Sequence, residues 1–277
     1  MLMLSGSVLI LSDELASAWQ GQNVFELVQH LSGTVARAVP GRQTLRFELN
    51  GEFFYRKLHT GVGWSEIVKN LISGRLPIIG ARNEWQALTR LQAAGIPSLI
   101  PVGFGERGIN PARRLSFIVT KELAGTVQLD DFLRTHPDLA FTSKVRLVEA
   151  VARMARALHQ QGLNHRDLYL CHFMLDPIVL ACPAKPARSL LHLVDLHRAQ
   201  LRKKVPFRWL VKDLASIYFS AMDLGITRKD IARFLQIYFD RPLGWVMQHQ
   251  RKLLRAVTLR AEQLYQREQR LIARGQR

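Results

Sequence analysis

The sequence predicts an α+β chain of two lobes, a small antiparallel-sheet N-lobe followed by a mostly helical C-lobe. Three observations predict it. Strand patterns dominate before residue 122, helical periodicity dominates after residue 127, and Glu122-Leu123-Ala124-Gly125 stands between them as a short hinge. The N-lobe is placed at 1–121, the hinge at 122–126 and the C-lobe at 127–277.

Taken in order, Met1 to Leu11 is apolar but lacks a basic start, and Asp13 and Glu14 interrupt it. It reads as buried N-terminal structure rather than a cleaved signal. Arg42 to Asn50 alternates apolar residues at Leu45, Phe47 and Leu49, and Asn50-Gly51 is the favoured pair for a tight hairpin. Glu52 to Leu58 is its partner strand. A helix fits Arg82 to Ala94, closed by Gly95 and Pro97. Ser98 to Phe104 and Arg114 to Lys121 read as further strands. Beyond the hinge, Leu129 to Leu133 and Thr142 to Gln161 read as helices, the second stopping at Gly162. Phe173 to Leu175 and Leu190 to Val194 are short apolar pieces around a turn-rich stretch with Pro177, Pro183 and Pro186. Lys212 to Met222, Arg228 to Phe239 and a long segment from Gly244 towards Arg274 complete the helical part.

Composition narrows the partners. With 48% hydrophobic residues in 277, the chain can bury a sizeable core, which excludes a disordered polymer. Cys171 and Cys182 follow no zinc spacing and suit a reducing cytosol. No apolar run is long enough to span a bilayer. Lys and Arg number 39 against 22 Asp and Glu, a net charge of +17. Such a surface attracts polyanions: nucleotides, phosphorylated glycans, anionic lipid or nucleic acid. No RNA- or DNA-binding motif accompanies the charge, so nucleic acid is not expected.

Four elements carry the chemistry. Lys57 sits on a strand and Glu84 on the following helix. Asn164-His165-Arg166-Asp167 follows a helix end, and Val194-Asp195-Leu196-His197 places an aspartate at the end of an apolar strand. A strand lysine can hold the phosphates of ATP, and a helical glutamate can fix that lysine as an ion pair. One aspartate orients the attacking hydroxyl, and a second supplies a hard oxygen to Mg2+. Singly, each residue is an ordinary surface or capping group. In this order, they form the pattern of a protein-kinase-like fold.

The stretches Asn164 to Phe173, Asp195 to Arg202, Lys212 to Ser220 and Phe117 to Glu122 resemble those of the lipopolysaccharide core heptose I kinases, and the likeness runs from about Arg42 to the C-terminal helices. The resemblance implies transfer of the ATP γ-phosphate to a hydroxyl of the first heptose of the inner core, on a nascent core glycolipid. It implies Asp167 as catalytic residue, Asp195 as magnesium ligand and Lys57 with Glu84 as the ATP-binding pair. Asp213 resembles the helical aspartate that anchors the catalytic-loop backbone in kinase-like enzymes; His165 reads as a support of that loop and His159 as a packed core histidine.

The sequence departs from the general kinase pattern in places. No G-x-G-x-x-G loop precedes the hairpin, and Gly33 to Gly41 is the candidate substitute, where Arg37 and Arg42 either assist or are merely solvated. His172 replaces the metal-binding Asn; it is a candidate metal ligand beside Asp195, but magnesium prefers oxygen, and a hydrogen bond to the catalytic loop is the preferred reading. Residues 61–80 form an apolar insertion containing Trp64, Val68, Leu71, Ile72, Leu76 and Ile78, with Lys69 and Arg75. It contacts a glycolipid or bilayer, or packs within the lobe. The basic C-terminal stretch, from Arg251 to Arg277, is either a lipid-facing amphipathic helix or a solvated helix capping the C-lobe. The whole suggests a cytoplasmic enzyme, peripheral at an anionic inner-membrane surface. The competing functions are another kinase-like phosphotransferase, using a protein or soluble glycoside, and a non-catalytic polyanion-binding scaffold.

Overall fold

A computed structural model describes residues 6–61, 63–72, 80–182 and 184–275. The chain forms two compact units. One comprises Met1–Thr89, Leu99–Ala124 and Leu196–Arg198; the other comprises Arg90–Ser98, Gly125–Asp195 and Ala199–Arg277.

The first unit contains β1 (Ser7–Leu11), α1 (Asp13–Ala18), α2 (Val24–His30), β2 (Thr34–Val39), β3 (Arg42–Leu49), β4 (Glu52–His59), α3 (Gly63–Ile72), most of α4 (Arg82–Ala93), β5 (Pro101–Arg107) and β6 (Leu115–Lys121). The six strands form one antiparallel sheet in the order β1-β5-β6-β4-β3-β2. At the β3–β4 turn Asn50 and Gly51 both take positive φ, 53° and 80°, the primed turn that matches strand twist.

Alternation along β3 and β4 sorts the side chains. Leu45, Phe47, Phe54 and Leu58 face a core completed by Leu15 of α1, Trp19 just after it, and Val24, Phe25 and Val28 of α2. The opposite face carries Lys57, Ile118 and Phe104, which register aligns across β4, β6 and β5. Trp85 of α4 stacks on Phe104 at 5.4 Å between ring centroids. The two short N-terminal helices and β1 are additions to the sheet and single helix expected. The strand expected at Ser98 begins instead at Pro101, where the missing N–H does least harm to a ladder. Residues 33–41, expected as a nucleotide-covering loop, are mostly strand β2. Residues 73–79 of the insertion, and the side chain of Leu71, lie outside the described residues, as do residues 1–5.

The second unit contains β7 (Val127–Gln128), α5 (Leu129–Thr135), α6 (Phe141–Gln160), β8 (Leu163–Asn164), β9 (Phe173–Leu175), α7 (Pro177–Ala181), β10 (Leu191–Leu193), β11 (Gln200–Leu201), α8 (Phe207–Ala221), α9 (Arg228–Phe239), α10 (Leu243–His249) and α11 (Arg251–Ala273). Helix α6 packs on α9, and α8 on α11. Helix α6 ends before Gly162, whose φ is 72°; a Cβ there would meet the Arg202 carbonyl, so glycine alone fits. Two short ladders, β10-β9-β7 and β11-β8, flank the loops that carry the aspartates.

The turn-rich stretch holds a short helix, α7, with Pro177 in its first turn and Asp176 capping the Ile178 and Val179 amides at 2.9 and 3.1 Å. The long C-terminal segment breaks at Gln250 into α10 and α11. Because α11 packs on α8 and buries Leu253 and Ala261, its geometry favours the helix-capping reading of the basic stretch.

Candidate active site

In the first unit, the period of two along β4 points Lys57 to the face that α4 covers. Glu84 lies in the first turn of α4, where the helix dipole favours a carboxylate. Lys57 Nζ donates to Glu84 Oε1 at 2.6 Å. The Glu84 side chain is 1% exposed and that of Lys57 13%, so the pair is largely withdrawn from water. Nearby, Arg46 donates to both carboxylate oxygens of Glu122 at 2.9 and 2.8 Å, and the Tyr55 hydroxyl donates to it at 3.2 Å. These hydrogen bonds hold the Glu122 carboxyl below its usual range.

In the second unit, the loop after β8 is shaped by one buried carboxylate. Asp213 on α8 accepts the backbone N–H groups of His165 and Arg166, each at 2.7 Å. Arg166 takes φ 77°, a left-handed conformation that these bonds impose on a non-glycine residue. His159 supports the anchor, with Nε2 3.3 Å from Asp213 and Nδ1 2.7 Å from the Tyr238 hydroxyl. The His165 ring is fully buried, which lowers its pKa and keeps it neutral, and its Nε2–H donates to the Val194 carbonyl at 2.9 Å. Asp213, His159 and His165 therefore hold the loop, in keeping with the resemblance.

Asp167 emerges from this loop, and Lys212 Nζ lies 3.2 Å from its Oδ1. Asp195 follows β10 with φ 61°, another strained non-glycine position. His172 joins the two aspartates. Its Nδ1 is 2.6 Å from the Asp167 carbonyl oxygen, which can only accept, so Nδ1 carries the hydrogen. Its Nε2 lies 3.6 Å from Asp195 Oδ2. Nε2 is the ring nitrogen left to face that carboxylate. The hydrogen bond to the loop is present, and it directs the other nitrogen towards Asp195.

The donor set can be tested against magnesium. Asp195 offers hard carboxylate oxygens on a side chain 28% exposed, and His172 offers one nitrogen. Among the described residues no group of three or more His, Cys, Asp or Glu side chains could hold a metal. Few protein ligands suit magnesium, which takes most of its oxygens from substrate phosphate and water. The residues present fit.

Sequence reasoning gave no role to Lys212, Trp209 or Ser220. The guanidinium of Arg166 lies 4.8 Å from the Trp209 ring centroid, and the Ser220 hydroxyl accepts the Leu170 amide at 3.0 Å. One signal was available: Lys212, Ser216 and Ser220 recur at helical spacing beside the buried Asp213. The same unit contains an apolar cavity of about 330 Å3, lined by Leu147, Val151, Leu214, Ile217, Phe234 and Leu254.

A sheet with a buried lysine–glutamate pair, an aspartate on an anchored loop and a second aspartate behind a strand define a kinase-like enzyme. Comparison with known proteins agrees. The model of the lipopolysaccharide kinase (Kdo/WaaP) family matches residues 26–238. The lipopolysaccharide core heptose(I) kinase WaaP of Pseudomonas aeruginosa is 46% identical over 264 residues, covering 95% of this chain and 97% of that protein. The Escherichia coli K12 protein of the same name is 42% identical over 264 residues, covering 94% and 98%. A solved structure described as WaaP in complex with acyl carrier protein superposes with a TM-score of 0.78 at 42% identity, covering 93% of this chain and 99% of that one. The chain belongs to the lipopolysaccharide kinase (Kdo/WaaP) family.

Proposed function

We propose that this protein transfers the γ-phosphate of ATP to a hydroxyl of the first heptose of the lipopolysaccharide inner core. The observation that carries this reading is near-full-length similarity to two heptose(I) kinases, in a chain that keeps a 2.6 Å Lys57–Glu84 pair and the anchored Asp167 loop. Lys57, held by Glu84, positions the nucleotide phosphates in the first unit. Asp167 accepts or orients the proton of the acceptor hydroxyl in the second, and Lys212 fixes the orientation of its carboxylate. Asp195, with His172 as neighbour, holds magnesium, which when bound neutralises phosphate charge. Anchoring by Asp213 matters because phosphoryl transfer depends on positioning more than on covalent chemistry. Incubation with ATP, magnesium and core glycolipid lacking phosphate, followed by mass-spectrometric mapping, should place one added phosphate on the first heptose. Phosphate on another sugar or on protein would replace the acceptor.

The nascent glycolipid is a membrane component, and the net charge of +17 suits an anionic surface. Among the described residues no helix is long and apolar enough to cross a membrane, so the proposed association is peripheral, at the cytoplasmic face of the inner membrane. Sedimentation with vesicles should show binding to anionic but not neutral lipid, weakening as salt rises. Salt-insensitive binding to both would remove the electrostatic part.

A second partner follows from the solved relative. The structure at TM-score 0.78 is a complex with acyl carrier protein, and the apolar cavity of about 330 Å3 in the second unit has the chemistry of an acyl-chain site. Gel filtration with acylated and unacylated carrier should show a complex that depends on the acyl chain. Equal behaviour of the two carriers would leave the cavity without that ligand.

A further inference from the structure

Strands β2 and β3 are joined by two residues, Pro40 and Gly41, with Gly41 at φ 75°. The turn is pinned by the Thr60 N–H, which donates to the Gly41 carbonyl at 3.0 Å. A two-residue turn cannot offer phosphate the run of backbone N–H groups that a glycine-rich loop presents. It presents Arg42 instead, the first residue of β3. Arg42 is directly opposite His59, and Thr44 is directly opposite Lys57. Register therefore puts Arg42, Lys57 and His59 on one face of the sheet. Arg42 and Lys57 are diagonal neighbours, roughly 7–8 Å apart at the backbone.

The charges on this face do not balance. Glu84 compensates Lys57. Arg42 is half-buried, has no carboxylate partner among the described residues, and its Nε is buried without a hydrogen-bond acceptor. His59 is 2% exposed, and its Nε2 also lacks a partner. Burial, and then the positive charges of Arg42, Lys57 and His197, lower the His59 pKa to about 3, so the ring adds no third charge. Partly buried charge without a counter-charge is costly, and proteins keep it where a ligand supplies the opposite sign.

We propose that Arg42 is a phosphate-binding residue, forming with Lys57 a polyanion subsite for the nucleoside triphosphate, and that His59 is the positioning residue packed behind it. This inference rests on the ATP reading above. Side chains at a strand end here take the place of a backbone cradle.

Equilibrium titration of the purified protein with ATP, adenosine and inorganic tripolyphosphate, without acceptor, tests it. Arg42→Met should weaken ATP and tripolyphosphate binding by about 10- to 100-fold, the range for a lost charge-assisted hydrogen bond, and leave adenosine affinity unchanged. Arg42→Lys should recover part of the loss. Without ligand, the melting temperature of Arg42→Met should stay level or rise, because an uncompensated charge is removed; this controls for misfolding, with Arg42→Gln as a second variant. ATP affinity within twofold of wild type in folded Arg42→Met would overturn the subsite. Failure of the wild type to bind ATP would instead overturn the nucleotide reading. Tripolyphosphate binding lost in Arg42→Met would still support an anion site.

Discussion

Glu84 is 1% exposed and depends on Lys57 for its counter-charge. Lys57→Met would leave that carboxylate buried and unpaired, a loss of roughly 3–5 kcal/mol. Adding Glu84→Gln removes the stranded charge, so the double variant should recover most of the stability while transfer activity stays low. Chemical denaturation of the single and double variants checks this; additive losses would show that the two residues do not act as a unit. Two histidines set a pH dependence. Burial lowers the pKa of His59 from 6.5 to about 3 and lowers that of His165. Below about 6.5 the unfolded chain binds protons there that the folded chain refuses, so stability is full above that pH and declines as pH falls, for His59 as far as about pH 3. For His59 the slope should be about 1.4 kcal/mol per pH unit across that window, and His165 adds in the same direction. Denaturation between pH 7.5 and 5 should be flatter for His59→Gln than for the wild type, and an equal slope would contradict the assignment.

Helix α8 holds the base of the Asp167 loop through Asp213, which accepts two of its amides. Asp213→Ala would leave the His165 and Arg166 amides without an acceptor, and each buried unsatisfied donor costs about 1–3 kcal/mol. Faster hydrogen exchange at those two amides, with a lower melting temperature, is the expected signature; unchanged protection would mean that the loop holds its shape without the anchor. The elements differ in how far local pattern reveals them. Strands β3 and β4 announce themselves by alternation and Asn50-Gly51, and α6 by its apolar period. Helices α1 and α2 do not, being only six and seven residues long, because their packing with Phe47 and Phe117 comes from distant sequence. Strand β2 is exposed along its length and so carries no buried alternation. The aspartates were legible because their motifs are contiguous. Lys212 was not assigned a role, since nothing local distinguishes it from a solvated helix lysine; its contact with Asp167 appears only in the fold.

For the molecule as a whole, a strongly basic chain suits the anionic nucleotide and membrane glycolipid of the proposed function. The +17 charge alone left nucleotides, glycans, lipid and nucleic acid open, and it was the order of Lys57, Glu84, Asp167 and Asp195 that narrowed them. The direct test is phosphoryl transfer from γ-labelled ATP to three acceptors in parallel: heptose-bearing core glycolipid, free soluble sugar and protein. Label should enter the glycolipid preferentially, and Asp167→Asn should lower the rate by roughly 10²–10⁴-fold with the fold intact. Equal labelling of soluble sugar or protein, or near-normal turnover by Asp167→Asn, would contradict the proposed function.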